Sequence, residues 1–291
     1  MIAINWGSSK FRAYKVDAQG AVEAEIFSGK GALMTPPGGY EEALAAEVGE
    51  WISAGERKVL MCGMVGARRG WKEAPYLPLP AAFDQVVDGV IPVDADGLDA
   101  RIVPGLTGFD ECGVPEVMRG EETEIFGCAR EFASGSRLCL PGTHSKWVRM
   151  EGGRVAAFTT CMTGDLYKAI REGTILRSGT QEEPIDDDSY LRGVARSKEA
   201  GGVAHHLFGA RTLVLTGRMQ PSSASSYLSG LLIGDEVKAM ARTDESVHLI
   251  GDPALCALYA RALAEFDVQS TVEAEGAALR GLLRIAGRLA W

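Results

Sequence analysis

Two glycine turns with hydroxyl side chains stand at matching points in the two halves of the chain. The first, Gly7-Ser8-Ser9, lies between the apolar run Ile2–Trp6 and the alternating run 11–16. The second, Gly142-Thr143-His144-Ser145, follows the apolar run 138–140. Each pattern predicts a β-hairpin whose tip offers backbone N–H groups and hydroxyls to an anion, because glycine lets the backbone approach closely. The pair indicates a phosphate clamp, as in an ATP-dependent kinase.

Charged residues near these turns could supply the rest of phosphoryl transfer, which needs a metal ion and a carboxylate to deprotonate the acceptor hydroxyl. Lys10 and Arg12 follow the first turn and could contact phosphate or substrate, although an exposed strand arginine has the same pattern. The adjacent acids Glu121 and Glu122 could be base and substrate ligand, or could only stabilise the start of a helix. Asp165 is the rival carboxylate and could equally cap a helix.

Composition limits the class of protein. A length of 291 residues favours two domains, and the net charge of −9 argues against nucleic acid or an anionic membrane as a partner. We find no apolar run that could span a bilayer and no signal-peptide pattern. The 6 cysteines form no C-x-x-C pair, which argues against a zinc site and favours reduced thiols in a cytoplasmic protein.

Hydrophobic periodicity predicts the elements that position these residues. In the first half we expect strands at 22–27, 59–64 and 101–106, helices at 40–53 and 121–132, and a loop at 63–76. In the second half we expect a hairpin at 137–160, helices at 165–172 and 275–283, an irregular acidic stretch at 181–189, an amphipathic helix at 226–240, and a strand at 247–252 that leads into a helix ending near 264.

The small residues 133–136 mark the predicted domain boundary. We therefore predict an N-terminal domain at 1–134 and a C-terminal domain at 135–291, each repeating one strand-hairpin-helix plan. Closure of the two domains predicts a hinge near 132–137.

Several strings of the sequence carry a specific resemblance. They are INWGSSKFRAY, GMVGARRGWKEAPYLPLP, VMRGEETEIFG, LPGTHSKWV, CMTGDLY, LSGLLIGDEV and LIGDPALCALYARAL. In these strings the chain resembles the 2-dehydro-3-deoxygalactonokinase family of the sugar kinase/actin/Hsp70 superfamily, over nearly its whole length. The resemblance implies an α/β fold of two ribonuclease H-like (actin-like ATPase) domains, each a mixed sheet flanked by helices, with an interdomain cleft.

The resemblance also implies an activity: ATP-dependent phosphorylation of 2-dehydro-3-deoxy-D-galactonate to its 6-phosphate in galactonate catabolism. The implied cofactors are ATP and Mg²⁺, and the implied partners are small molecules, with no nucleic acid or membrane; the oligomeric state, including a homo-oligomer, stays open. The epimeric acid 2-dehydro-3-deoxygluconate is the alternative substrate, because one or two pocket hydrogen bonds decide between the epimers.

Site residues follow from the resemblance position by position. It implies Glu122 as general base, with Asp165 as the second candidate. Nucleotide contacts are expected from Asn5, Gly7, Ser8, Ser9, Lys10, Gly142, Thr143, His144, Ser145, Gly251 and Ala254, and metal contacts from Asn5 and Asp165. Substrate contacts are expected from Arg12, Trp71, Lys72, Tyr76, Arg119 and Glu121, because a cation suits the acid's carboxylate and aromatic rings could wall the pocket or simply pack.

Two departures from the superfamily pattern motivate alternatives. Asn5 stands where most members place an aspartate, which removes a charge near the metal. The adenine site offers only Gly251 where a glycine pair is usual. Two alternative functions on the same fold therefore stay open besides the kinase: an inactive ATP-binding regulator and a phosphohydrolase.

Overall fold

The computed structural model describes residues 1–110, 112–128, 132–176 and 184–291. The described chain divides into two compact units. The first comprises Met1–Ser134, Met150–Phe158 and Gly276–Trp291, and the second comprises Gly135–Arg149 and Thr159–Glu275. The predicted domain ranges differ from these units in the segments 150–158 and 276–291, which both belong to the first unit. Among the described residues, no helix is long and apolar enough to cross a membrane.

The units are built from strands and helices of ordinary length. The strands are β1 (Ile2–Trp6), β2 (Phe11–Val16), β3 (Val22–Ser28), β4 (Lys58–Gly63), β5 (Tyr76–Pro78), β6 (Ile91–Val93), β7 (Asp99–Ile102), β8 (Gly105–Phe109), β9 (Pro115–Met118), β10 (Arg137–Leu140), β11 (Ser145–Glu151), β12 (Arg154–Cys161), β13 (Ser246–Leu249) and β14 (Gln269–Val272). The helices are α1 (Tyr40–Ser53), α2 (Phe83–Asp88), α3 (Glu121–Phe126), α4 (Thr163–Gly173), α5 (Asp187–Lys198), α6 (Gly202–His206), α7 (Gly209–Leu215), α8 (Ala224–Met240), α9 (Pro253–Glu265) and α10 (Ala277–Ala286).

The two main sheets repeat one topology. One has the strand order β3-β2-β1-β4-β7-β6 and the other has the order β12-β11-β10-β13-β14. In both, the central strand pairs antiparallel with the strand that follows it and parallel with a later strand: β1 with β2 and β4, and β10 with β11 and β13. The predicted α/β fold of two ribonuclease H-like sheets, built as an internal repeat, is confirmed. A third sheet, β5-β8-β9, belongs to the first unit.

Helix α1 shows how the sequence produces these layers. Its buried residues Tyr40, Leu44 and Val48 recur every fourth position and pack into the core of the first unit. Glu41 and Glu42 lie in its first turn, where negative charge favours the helix dipole. The predicted helix at 40–53 is confirmed with the same bounds.

Three other elements differ from their predictions. The predicted strand 101–106 is two strands, β7 and β8, because Pro104 between them has no N–H for a ladder. The predicted helix 121–132 ends at Phe126, and residues 129–131 lie outside the described residues. Helix α8 is buried on most sides, so its predicted amphipathicity is wrong.

The predicted acidic stretch 181–189 is only partly described. Residues 181–183 lie outside the described residues, and α5 already begins at Asp187. Asp186 caps this helix, accepting a hydrogen bond from the Ser189 N–H. The end of the stretch is therefore helical rather than irregular.

Candidate active site

The first glycine turn is held by its own backbone and by a neighbouring segment. The Gly7 N–H donates to the carbonyl of Lys10 (2.9 Å), and the Ala32 N–H donates to the carbonyl of Gly7 (2.9 Å). Gly31 permits this approach, since a Cβ there would lie 2.3 Å from the Ser8 oxygen. The side chains of residues 8–10 are exposed at the tip, as a phosphate turn requires.

Asn5 lies next to the start of α3. It pairs with Cys62 on β4, and a Cβ on the following residue, Gly63, would lie 3.4 Å from the Asn5 Oδ1 atom. Gly120, which precedes α3, has a φ of 106°, and a Cβ there would lie 3.3 Å from the Gly63 Cα. Glycines at both positions thus let the acidic turn of α3 approach the end of β1.

The two acids that begin α3 have different environments. Glu122 has 0% exposed surface, and its carboxylate accepts from the Gly120 N–H (2.7 Å) and the Thr123 hydroxyl (2.9 Å). Burial and the charge of Glu121 raise the pKa of Glu122 to about 8. Glu121 is half-buried, and its Oε2 atom accepts from the Arg119 backbone N–H (3.0 Å). Of these two acids, only Glu121 has surface that an acceptor hydroxyl could reach in this conformation.

A third acid on α3 was missed at the level of sequence. Burial and the charge of Glu121 raise the pKa of Glu124 to about 7, and the guanidinium of Arg12 opposes this rise. Arg12 pairs with Asn5 across β1 and β2, and its guanidinium lies 5.5 Å from the Phe27 ring centre. The available signal was the three-residue spacing of Glu121 and Glu124, which are neighbours on a helix surface. The structure thus brings Asn5, Arg12 and the acids of α3 together.

Arg119 is a buried cation whose hydrogen-bonding capacity is not filled. Its side chain is 8% exposed, its Nη2 donates to the Ala74 carbonyl (2.8 Å), and its guanidinium carbon lies 4.2 Å from the Tyr76 ring centre. Among the described residues, its Nε and Nη1 have no hydrogen-bond partner. A planar guanidinium with two donors left over suits a carboxylate. Arg119 and Tyr76, both predicted substrate contacts, are therefore brought together.

The other two predicted substrate contacts of this loop are engaged elsewhere. Trp71 stacks on Tyr40, with ring centres 6.3 Å apart, and packs against the core of the first unit. Lys72 is exposed, and its ammonium donates to the Pro92 carbonyl (2.7 Å). These contacts tie neither residue to Arg119.

The second glycine turn packs against the beginning of α4. A Cβ at Gly164 would lie 2.6 Å from the Gly142 oxygen, and the Asp165 N–H donates to the Thr143 carbonyl (3.1 Å). The His144 Nε2 and Asp165 Oδ2 atoms are 2.8 Å apart. Thr143 and His144 are exposed. The turn and the first residues of the helix thus form one polar surface.

Ser145, the last residue of this turn, faces the protein interior. Its hydroxyl lies 2.9 Å from that of Tyr259, which donates to Glu236 Oε2 (2.7 Å). The Trp147 indole donates to the other oxygen of Glu236 (2.7 Å), and Thr163 also contacts this carboxylate. Burial raises the pKa of Glu236, while these donors lower it. The structure therefore separates Ser145 from the exposed Thr143 and His144, and no sequence pattern could have joined such distant partners.

The predicted adenine residues lie where β13 ends. Gly251 has a φ of 138°, which favours glycine, and a Cβ there would lie 3.6 Å from the Pro141 oxygen. Asp252 caps α9 and accepts from the N–H groups of Ala254 (3.1 Å) and Leu255 (3.2 Å). Gly251 therefore lies beside the second turn, whereas the Ala254 N–H is already used by the cap.

A resident metal cage is absent from the part of the chain that the structure describes, since no group of three or more His, Cys, Asp or Glu residues could hold an ion there. Mg²⁺ is commonly held by one or two carboxylates together with substrate phosphates. Asn5 and Asp165, which lie in different units, each offer one oxygen ligand of the kind that Mg²⁺ accepts.

The sequence is similar to known proteins of one enzyme family over nearly its full length. Residues 5–285 match the family model described as 2-keto-3-deoxy-galactonokinase. The probable 2-dehydro-3-deoxygalactonokinase DgoK1 of Rhizobium meliloti (strain 1021) is 35% identical over 297 residues, covering 99% of this chain and 97% of that protein. The 2-dehydro-3-deoxygalactonokinase of Escherichia coli (strain K12) is 31% identical over 286 residues, covering 97% and 96%.

A solved structure is similar to this chain over nearly its full length. A Sinorhizobium meliloti protein described under the same enzyme name superimposes with a TM-score of 0.85 at 34% identity, covering 98% of this chain and 97% of that one. With its repeated sheets and glycine turns, the protein is a carbohydrate kinase on an actin-like ATPase fold. More narrowly, the chain belongs to the 2-keto-3-deoxy-galactonokinase family.

Proposed function

We propose that this kinase transfers the γ-phosphate of ATP to the terminal hydroxyl of 2-dehydro-3-deoxy-D-galactonate and forms the 6-phosphate. The family and its named relatives support this acceptor. The observation that carries the proposal is Arg119, whose Nε and Nη1 donors are buried without a partner among the described residues and would become accessible to a carboxylate only when the residues that enclose them move. Neutral sugars lack a group that would neutralise this guanidinium, whereas a sugar acid supplies a carboxylate.

The acid pair beside Arg119 supplies the acceptor chemistry in this proposal. The sequence predicted Glu122 as the general base, but its buried carboxylate has a pKa of about 8 and would be protonated at neutral pH. A protonated carboxyl cannot accept the hydroxyl proton. We therefore assign the base role to Glu121, which retains exposed surface, and assign Glu122 the role of holding the Gly120–Thr123 turn.

Nucleotide binding is proposed for the glycine turns. In the first unit, the exposed turn residues 8–10 offer hydroxyls and an ammonium group. In the second unit, Thr143, His144 and Gly251 follow the C-terminal ends of the neighbouring parallel strands β10 and β13, and Asp165 pairs with His144. Mg²⁺ would be held by Asn5 or Asp165 together with the phosphates, whose negative charge it neutralises when bound.

A coupled ADP-release assay tests the proposal, with magnesium-ATP and separate 2-keto-3-deoxy sugar acids, aldonic acids and neutral sugars. We expect ADP release that depends on 2-dehydro-3-deoxy-D-galactonate and falls in Arg119→Gln through a raised KM for the acid. A preference for 2-dehydro-3-deoxygluconate would reassign the acceptor. Release without any acceptor would indicate a hydrolase, and nucleotide binding without release would indicate an inactive regulator.

A further inference from the structure

The second unit has an open-sided cavity of about 470 Å³ at its surface, which none of the residues above line. Helices α5 and α7 form its walls and α8 contributes its floor, through residues that include Arg192, Arg196, Glu199, Gly209 and Tyr227. Small-molecule sites commonly have volumes of roughly 300–1,000 Å³. The cavity is therefore large enough for a compact metabolite.

Glycines explain why the space exists. Helices α5 and α8 touch closely, because a Cβ at Gly193 would lie 2.1 Å from the Tyr227 carbonyl oxygen and one at Gly230 would lie 1.9 Å from the Tyr190 oxygen. On α7, by contrast, Gly209 faces the Tyr227 hydroxyl, and a Cβ there would lie 3.0 Å from that oxygen. The missing side chain at Gly209 leaves the hydroxyl open to the cavity.

The floor of the cavity carries an unused polar group. Tyr227 is 2% exposed, so its ring belongs to the core. Within the described residues, its hydroxyl has no hydrogen-bond partner, although it lies among the lining residues of the cavity. That hydroxyl is not among the fully buried polar atoms without a partner, so it is accessible from the cavity, where a ligand could donate or accept a hydrogen bond.

Two arginines one helical turn apart give the cavity its charge. Arg192 donates to the Arg218 carbonyl (3.1 Å), and the Arg196 Nη2 lies 3.3 Å from the His205 Nε2. Neither forms an ion pair within the described part of the chain, and like charges at this spacing repel. Both guanidiniums lower the pKa of Tyr227 against the opposing effect of burial, which places their charge near the hydroxyl. The carboxylate that faces them is Glu199, which is exposed at the rim.

We propose that this cavity binds a small hydroxylated anion, either a sugar acid or a sugar phosphate ester. Arg192 and Arg196 contact the anionic group, and the Tyr227 hydroxyl and the Glu199 carboxylate contact hydroxyl groups of the ligand. This site is separate from Arg119 and does not rest on the acceptor proposed above.

Calorimetric titration of the full chain tests the site with three probes: D-gluconate, glucose 6-phosphate and the neutral polyol sorbitol. We expect saturable binding of at least one anion and none of sorbitol. Arg196→Gln should weaken binding about ten-fold or more, because a charge-assisted hydrogen bond is lost. Tyr227→Phe, which keeps the buried ring, should weaken it about three-fold. The tighter of the two anions identifies the preferred anionic group.

Two matched variants distinguish binding in this cavity from a general effect of surface charge and from binding at Arg119. Arg211→Gln removes the same charge from α7, but Arg211 donates to the Ile175 carbonyl and does not line the cavity. Arg119→Gln disables the proposed acceptor site in the first unit. Both should bind the anion as the unmodified chain does.

The proposal is overturned if the unmodified chain shows no saturable binding, if Arg196→Gln and Arg211→Gln weaken binding equally, or if Arg119→Gln alone abolishes it. Circular dichroism melting confirms that each variant is folded before it is titrated. A kinase assay without acceptor-dependent turnover would overturn the proposed function and leave this titration unaffected.

Discussion

Glu121 and Glu122 are adjacent in sequence, yet the first turn of α3 gives them different surroundings. Glu122 is enclosed, and its two oxygens accept hydrogen bonds from Gly120 and Thr123. Glu121 retains exposed surface, and its carboxylate accepts a hydrogen bond from the backbone N–H of Arg119. Because burial favours the neutral form of a carboxyl group, the enclosed acid is suited to structure and the open one to proton transfer.

This difference predicts losses of kcat of different size for two isosteric substitutions. Glu121→Gln should lower kcat by about 10²–10⁴, since a positioned base is lost. Glu122→Gln should lower kcat only slightly, because glutamine resembles the protonated acid that already occupies the site. Steady-state kinetics at saturating ATP and acceptor measure both. A larger loss in Glu122→Gln would return the base role to Glu122.

The raised pKa values of Glu122 and Glu124 predict how stability depends on pH. Both lie above the ordinary 4.5, at about 8 and about 7, so the folded chain binds more protons than the unfolded chain between these limits. Their contribution to the free energy of unfolding is therefore present at low pH and lost as pH rises, by at most about 1.4 kcal/mol per pH unit and group.

Urea unfolding between about pH 5 and pH 8 measures this slope. We expect a shallower slope in Glu122→Gln than in the unmodified chain. As a control, Glu50→Gln on the outer surface of α1 should leave the slope unchanged. Equal slopes in all three proteins would contradict the assignment.

At the scale of elements, one buried carboxylate joins four of them. Glu236 on α8 contacts Trp147 of β11, Tyr259 of α9 and Thr163 of α4, and through Tyr259 it reaches Ser145. The second glycine turn directly precedes β11 and packs on α4. The network therefore fixes the two elements that carry Thr143, His144 and Asp165.

Glu236→Gln should lower the free energy of unfolding by about 1–3 kcal/mol, because one oxygen that accepts buried donors is replaced. It should also raise the KM for ATP, since the turn is held less firmly. Asp186→Asn is the matched control: Asp186 is hydrogen-bonded to Ser189 and Ser223 at the start of α5. That variant should lose stability without a change in KM. Equal KM values in both variants would show that the network is purely structural.

The crossing of α3 and α10 depends on two glycines. A Cβ at Gly127 would lie 1.9 Å from the Ala277 oxygen, and one at Gly281 would lie 2.0 Å from the Thr123 oxygen. Gly281→Ala should therefore destabilise the protein by about 1–3 kcal/mol through overpacking. Gly49→Ala, inside α1 where a Cβ would meet nothing within 4 Å, should stabilise it by about 0.5–1 kcal/mol. Thermal and urea melts of both variants check this contrast.

Local patterns were enough to predict some elements and not others. The bounds of α1 followed from its period and its acidic first turn, and both hairpins followed from apolar runs around a glycine turn. The short strands β5, β6 and β9 were missed because runs of three or four residues carry too little alternation. The missing N–H of Pro104 indicates a break between β7 and β8. The apolar residues on both sides of it nevertheless predict one continuous strand at 101–106.

The candidate site shows the same limit. Glycine chemistry located the turns, since close backbone approach has a sequence signature. The inward direction of Ser145 and the burial of Glu122 depend on partners far along the chain, such as Tyr259 for Ser145. The sequence contains no local signal for such contacts.

At the scale of the whole molecule, the first unit is assembled from three separate segments. Gly276–Trp291 packs into it through α10, whose Leu282 and Ile285 are fully buried. Trp291 adds an indole whose ring centre lies 4.5 Å from the Arg101 guanidinium carbon. The end of the chain is therefore part of the core that supports Asn5, Arg119 and the acids of α3.

Truncation after Glu275 should unfold the first unit, because it exposes the apolar surface that α10 covers. Removal of Trp291 alone should be tolerated, with a small loss of thermal stability. Limited proteolysis followed by mass spectrometry measures both, by the rate of cleavage within residues 1–134. A truncated chain that resists proteolysis as the full chain does would contradict this dependence.

The same arrangement has a consequence for biosynthesis. Proteins of several domains commonly fold from the N-terminus while the ribosome is still adding residues, at about 5–20 residues per second. Here the first unit cannot finish folding until α10 is translated, because α10 follows all the residues of the second unit in the sequence. The second unit, whose residues end at Glu275, can be complete before the first. A nascent chain therefore carries an incompletely folded first unit on the ribosome until α10 has emerged, and a chain cut short before α10 lacks the helix that completes this unit.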